Sequence, residues 1–334
     1  MSKQQHISLV LGSGGARGLA HIGVIRVLER HGWKINAIAG SSMGALIGGF
    51  YAAGKLDAYA DWVLDLTELN VMRYLDPAWG GAGLIKGEAV METLREFVGE
   101  HRIEDLPIPL TIVATDPRAR REVWLNRGDL FDAIRASIAI PTIFTPHVVN
   151  GRPLLDGGIL NPVPIAPIMH NRGDLIVAVT LSGTPREHPG PLKPIRRPRR
   201  AGGRYRERID SFLDDLQKRL GLDDWQEKLG LDDWPEKLGL APLAERRAPR
   251  ARWSKPEQAL SFVDTALLSL DAMQAAIARN MLAAYPPDLL IEIPINVCAV
   301  HEFYRAAEVI PAGEYWAEQA LSEFLEENGR RIGG

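Results

Sequence analysis

A single cysteine, Cys298, stands in 334 residues. That excludes an internal disulfide and any metal site built on several thiolates, and its apolar setting, Ile295 to Val300, reads as a small buried hydrophobe. An excess of one charge is missing too. Lys and Arg number 39 against 42 Asp and Glu, a net charge of −3, so no global field recruits nucleic acid. No run reaches the roughly 18 uncharged apolar residues that span a bilayer. Residues 1–8 lack the basic, apolar and small-residue segments of a secretory leader. The expectation is a cytoplasmic protein whose membrane contact is at most peripheral, at the inner membrane. The hydrophobic share, 46%, supports a sizeable core in two domains or one large α/β domain.

What is present is an alternation. Ile7 to Leu11 reads as a buried strand, and Gly12-Ser13-Gly14-Gly15-Ala16-Arg17-Gly18 as a glycine-rich turn. Leu19 to Arg30 carries apolar residues at helical spacing, Ile35 to Ala39 is a second strand, and Ala45 to Ala53 a second helix. Strand, helix, strand, helix with short connections predicts a parallel sheet with right-handed crossovers. Further strands are expected at 110–114, 122–125, 154–155, 175–181 and 289–293. Helices are expected at 87–98, 130–137, 259–282 and 317–327.

Composition changes after Ser182. Residues 186–208 hold nine Lys and Arg against two Glu, with four prolines, the pattern of a linker or disordered arm. A nine-residue repeat follows, Leu222 to Gly230 and Leu231 to Gly239, too short and too few for a solenoid. The organisation expected is a core over 6–182, a charged insertion over 183–255, and a closing segment over 256–330. The insertion has two readings. Its basic arm and its tryptophans, Trp225 and Trp234, suit a lipid surface and a lid. Its second half, 209–240, carries nine acids against four bases, which suits a solvated excursion or contact with a partner subunit, so homo-oligomerisation stays open. Residues 64–84, with Gly80-Gly81-Ala82-Gly83, read as a loop that lines a ligand pocket or as ordinary core.

Gly40-Ser41-Ser42-Met43-Gly44 lies where the second strand meets the second helix. A serine on a sharp strand-to-helix turn is exposed for attack, and the positions two before and two after it must be small because the backbone nearly touches itself. Gly40 and Gly44 satisfy that demand around Ser42; an ordinary Gly/Ser turn is the alternative. The glycine loop can supply converging amides for an oxyanion. Its rival reading is a dinucleotide fingerprint, but Arg17 occupies the sixth position of G-x-G-x-x-G, and the second strand ends in Ala39-Gly40 rather than in a ribose-binding acid. Asp156-Gly157-Gly158 ends an apolar strand and can bring a carboxylate close to another backbone, or merely cap its own turn.

These blocks, in this order, resemble the patatin-like phospholipase family. Residues 135–141 (RASIAIP), with Phe144 and Pro146, are similar to that family's Ser/Pro block, and residues 287–294 and 303–308 resemble the tail of its bacterial, neuropathy-esterase-like branch. The chain departs from the family pattern at Ser13, where many members carry glycine, and in the insertion. The resemblance implies a mainly parallel central sheet flanked by helices on both faces, a three-layer sandwich. It implies a Ser-Asp dyad with Ser42 as nucleophile and Asp156 as base, and an oxyanion hole from the amides of Gly14, Gly15 and Ala16. Arg17 then anchors the loop or an anionic head group. The implied reaction is hydrolysis of a lipid ester, of phospholipase A or lysophospholipase type, through an acyl-serine, with no cofactor and no metal. Two alternatives remain open: a Ser-Asp-His triad drawing on His21, His147, His170 or His301, and a non-catalytic regulator or scaffold on the same fold.

Overall fold

The computed structural model describes residues 5–66, 87–169, 175–187 and 262–332. The expectations for the 64–84 loop, the basic arm, the tryptophan repeat and His170 fall wholly or mostly outside these residues. Two units divide the chain. One comprises Met1–Tyr205 with Gln274–Gly334, and every residue placed below belongs to it; of the other, Arg206–Met273, residues 262–273 are described, as the first turns of one helix.

Strands form where β-branched and other apolar residues run between glycine or proline stops. They are β1 (His6–Leu11), β2 (Lys34–Ser41), β3 (Leu110–Asp116), β4 (Arg121–Leu125), β5 (His147–Val149), β6 (Arg152–Asp156), β7 (Leu175–Gly183) and β8 (Leu289–Pro294). The helices are α1 (Ala20–Arg30), α2 (Met43–Ala52), α3 (Leu56–Asp65), α4 (Glu88–Val98), α5 (Leu130–Ser137), α6 (Phe262–Ala284) and α7 (Ala306–Ile332). The eight strands make one sheet in the order β5-β6-β3-β2-β1-β7-β8, with β4 paired to β3. The five strands β3, β2, β1, β7 and β8 run parallel to one another, while β4 and β6 pair antiparallel with β3 and β5 antiparallel with β6.

Alternation along β1 and β2 sends side chains to two covered faces, as a parallel sheet requires. Leu11, Ile38 and Leu110 meet α2 at Gly48. Val10, Ala37, Ala39 and Ala178 pack on the opposite face against Val163, Ile165, Ile168 and Ala278. Helix α2 is apolar on every side (its residues are buried all round except Tyr51), which places it inside the molecule rather than at its surface. Helix α5 is fixed at its start by Asp129, whose Oδ1 accepts the Asp132 amide at 2.8 Å while its carboxylate receives both Arg95 nitrogens at 2.9 and 3.0 Å.

The sequence reading omits α3 and β5 and starts the last helix eleven residues late. Helix α7 begins at Ala306 and runs through Pro311 and Gly313, residues that normally end a helix. Tertiary packing overrides them. A Cβ on Gly313 would lie 2.0 Å from the Ala20 carbonyl oxygen, and one on Gly23 would lie 2.1 Å from that of Ile310. The missing side chains let α1 and α7 touch backbone to backbone. Gly23→Ala or Gly313→Ala is therefore expected to force the helices apart and destabilise the fold by about 1–3 kcal/mol, measured by urea denaturation; unchanged stability would show that the helices separate freely.

Candidate active site

The carboxyl ends of β1, β2 and β3 converge, the place where open α/β sheets bind ligands. Ser42 follows β2 with φ 55° and ψ −122°, a conformation disfavoured for any residue with a side chain. The strain is held by close contacts. A Cβ on Gly44 would lie 2.0 Å from the Leu11 carbonyl oxygen, and one on Gly40 would lie 2.5 Å from that of Gly44. The two glycines expected to flank the elbow are thus sterically required. Ser137 adds a support: its Oγ accepts the Ser42 amide at 2.9 Å and donates to the Val113 carbonyl at 2.6 Å. That tie joins α5, β3 and the elbow.

Asp156 ends β6 opposite Ala114 of β3. Its amide donates to Ala139 O at 3.0 Å, and its carbonyl accepts the Thr115 hydroxyl at 2.9 Å. Oδ1 accepts the Gly158 amide at 2.7 Å, so the residue does cap its own turn. Oδ2 is buried without a hydrogen-bond partner among the described residues. The carboxyl is wholly buried, and desolvation raises its pKa from 3.8 to about 7, while interaction with the Ser42 hydroxyl and the Gly158 amide pulls the other way. Close approach again depends on glycine: a Cβ on Gly157 would lie 2.1 Å from Val113 O, and one on Gly158 2.4 Å from Ser13 Oγ. Ser13 therefore presses on the turn that carries Asp156.

The glycine loop leads into a short 3-10 helix, Gly15–Leu19, with Gly15 at φ 57°. Its amides are partly spoken for. Gly12 N–H donates to Val179 O at 3.0 Å, Ser13 N–H to Pro162 O at 2.8 Å and Ala16 N–H to Val300 O at 2.8 Å. The third bond corrects the expectation for Ala16, whose amide is held by the segment after β8 and is not free to serve an oxyanion. Among the described residues no acceptor engages Gly14 or Gly15 N–H. Arg17 is buried, and its Nε donates to Gly14 O at 3.2 Å, a geometry suited to holding the loop rather than a head group.

Two of the candidate histidines, His21 and His147, have partners other than Ser42 and Asp156. His21 is buried, and its Nε2 donates to Gly12 O at 2.9 Å; burial lowers its pKa to about 4, so it is neutral and braces the glycine loop. His147 pairs with Asp132 at 3.3 Å. Burial pushes the Cys298 thiol up to about 12, in keeping with a small buried hydrophobe. Ser137 and Val300 are the participants that sequence reasoning missed. Ser137 stands within the Ser/Pro block, yet only the fold shows that its hydroxyl meets the elbow; no local signal marks Val300.

Residues 9–169 match the family description "Patatin-like phospholipase". An uncharacterized NTE family protein of Mycobacterium tuberculosis is 44% identical over 338 residues, covering 97% of this chain and 93% of that one. The chain belongs to the patatin-like phospholipase family, on its NTE branch. A lysophospholipase of Kluyveromyces lactis is 31% identical over 183 residues, 52% of this chain and 12% of its own length. The crystal structure of VipD from Legionella pneumophila is similar with a TM-score of 0.48 at 14% identity, covering 96% of this chain and 67% of that one.

The raised Asp156 pKa has a consequence for stability. The carboxyl is protonated in both folded and unfolded states below about pH 4, so burial there carries no ionisation cost; the cost grows as pH rises from about 4 to about 7 and stays constant above. Asp156→Asn keeps an acceptor for Gly158 N–H and removes the titration. Its stability relative to wild type should therefore be greater at about pH 8 than at about pH 4.5 in urea denaturation; a difference independent of pH would contradict the shift.

Proposed function

We propose that this protein is a serine acyl hydrolase that cleaves carboxylic ester bonds of lipids, of phospholipase A or lysophospholipase type, with Ser42 and Asp156 as a catalytic dyad. The observation that carries the reading is the pairing of a strained serine elbow with a buried carboxyl whose Oδ2 is unengaged. Family membership and the lysophospholipase named among the relatives support the substrate class.

The chemistry follows from the arrangement. Ionised Asp156 takes the Ser42 proton as Oγ attacks the acyl carbonyl. Its first oxygen is fixed by the turn, which leaves Oδ2 to receive the proton. The Gly14 and Gly15 amides stabilise the oxyanion as it forms. Collapse of the tetrahedral intermediate breaks the ester C–O bond, and the departing alcohol takes the proton from Asp156. Water, activated by the same carboxylate, then hydrolyses the acyl-serine to a carboxylic acid and free Ser42. A carboxylate with an ordinary pKa near 4 is a weak base toward serine. Burial gives Asp156 the higher basicity the dyad needs. His21 and His147 have other partners, which favours the dyad over a triad.

A fluorophosphonate probe with peptide mapping is expected to label Ser42 and no other residue. Asp156→Asn should lower kcat/KM for a soluble ester by about 10²–10⁴-fold, whereas His147→Gln and His301→Gln should leave it unchanged. Loss of activity in either histidine variant, with the protein folded, would overturn the dyad. The wild-type rate should rise with pH and level off above about 7, as Asp156 ionises.

A further inference from the structure

Two hairpins rise from the catalytic end of the sheet. The β3–β4 turn occupies residues 117–120, beyond the carboxyl end of β3, and the β5–β6 turn is built on Asn150 and Gly151. Strand β6 runs antiparallel to β3 with Leu155 opposite Thr115 and Asp156 opposite Ala114. Continuing that register brings Arg152 level with Arg118. Both tips thus stand beyond Asp156 on the side toward which β1, β2 and β3 deliver the glycine loop, Ser42 and Thr115. Three residues at strand rise separate the level of the dyad from the start of the first tip, about 10 Å.

The tips are basic. Arg118, Arg120, Arg121 and Arg152 are all exposed, and among the described residues no ion pair neutralises any of them. Among the described residues, neither neighbouring acid forms an ion pair with these arginines. Asp116 is buried, and its Oδ1 accepts the amides of Arg118 and Ala119 at 3.0 and 2.9 Å. Glu122 accepts the Asn161 amide nitrogen at 2.5 Å. Arg120 has φ 53°, a position where glycine or asparagine is the unstrained choice. The turn therefore holds a cation where conformational energy favours another residue, and strain of this kind accompanies functional positions. An apolar group accompanies the charge: Val148, opposite Pro153 beside the β5–β6 turn, is 61% exposed; Trp124, 45% exposed, lies further down β4, opposite Val113. Arg121, Glu122, Val123, Trp124 and Arg152 line a shallow depression of about 330 Å³.

We infer that these hairpin tips dock the protein on the surface of a bilayer containing anionic phospholipid. Guanidinium groups pair with lipid phosphates, and the exposed Val148 adds an apolar contact at the headgroup layer. The proposal rests on the lipid-hydrolase reading and adds a face to it: the rim that meets the membrane is the one beyond which Ser42 lies. The link to the site is short. Thr115, which holds the Asp156 carbonyl, is opposite Glu122 of the β4 edge, and Glu122 holds Asn161, whose amide donates to Gly157 O at 2.9 Å.

The test is co-sedimentation of the full chain with vesicles of phosphatidylcholine, alone or mixed with phosphatidylglycerol. Wild type is compared with Arg118→Gln/Arg120→Gly/Arg152→Gln, in which Arg120→Gly relieves backbone strain and so favours folding. Each arginine near an anionic surface contributes about fivefold in partitioning. The triple variant should bind the mixed vesicles at least about tenfold more weakly, and wild-type binding should fall with added salt. Hydrolysis of a soluble short-chain ester should be equal in the two proteins, which keeps the result separate from the reading of the active site. If neither protein hydrolyses the ester while only wild type binds, the hydrolase reading fails and the docking face stands. Equal binding of both proteins, or binding indifferent to phosphatidylglycerol, overturns the proposal.

Discussion

The site depends on backbone crowding at the carboxyl ends of three strands. Gly44 sits against Leu11 O, Gly157 against Val113 O, and Gly158 against the side chain of Ser13. Each contact admits a hydrogen and nothing larger. Together they bring the serine elbow, the glycine loop and the aspartate turn into one small volume. Without them the strained φ of Ser42 would relax and the Asp156 carboxyl would gain water. The strain and the raised pKa therefore share one origin, the steric economy of these glycines in a fully buried setting.

Support for this core comes from distant parts of the chain. Ser137 on α5 ties the Ser42 amide to β3. The segment after β8 holds the Ala16 amide through Val300, and His21 on α1 holds the Gly12 carbonyl. Two amides of the glycine loop, those of Gly14 and Gly15, stay outside this bracing. A loop held at Gly12, Ser13 and Ala16 presents them in a fixed place, the preorganisation that the proposed oxyanion hole requires.

Much of this was legible in the sequence where the constraint is local. Strand, tight turn and helix follow one another at residues 7–53, so periodicity and glycine spacing expose both the parallel sheet and the elbow. The close backbone approach at Asp156 was readable because two glycines follow it at a strand end, although capping of its own turn was an equal reading. What escaped is decided between elements. Strand β5 has three residues and exists only by pairing with β6. Helix α7 continues through Pro311 because Gly313 packs against Ala20. The loss of Ala16 as an oxyanion donor follows from a carbonyl 284 positions further along, in Val300, which no local pattern encodes. Ser137 was visible as part of a motif, but its use as an acceptor for the elbow was not.

The claim that ties fold to chemistry is that burial makes Asp156 a base poised near neutrality. Its carboxyl can be titrated directly by carbon NMR on protein labelled at aspartate, with Asp156→Asn identifying the resonance. A midpoint near 7 is the result this account predicts. A midpoint near the ordinary carboxylate value of about 4 would mean that the site is solvated and that the dyad draws its basicity from somewhere else.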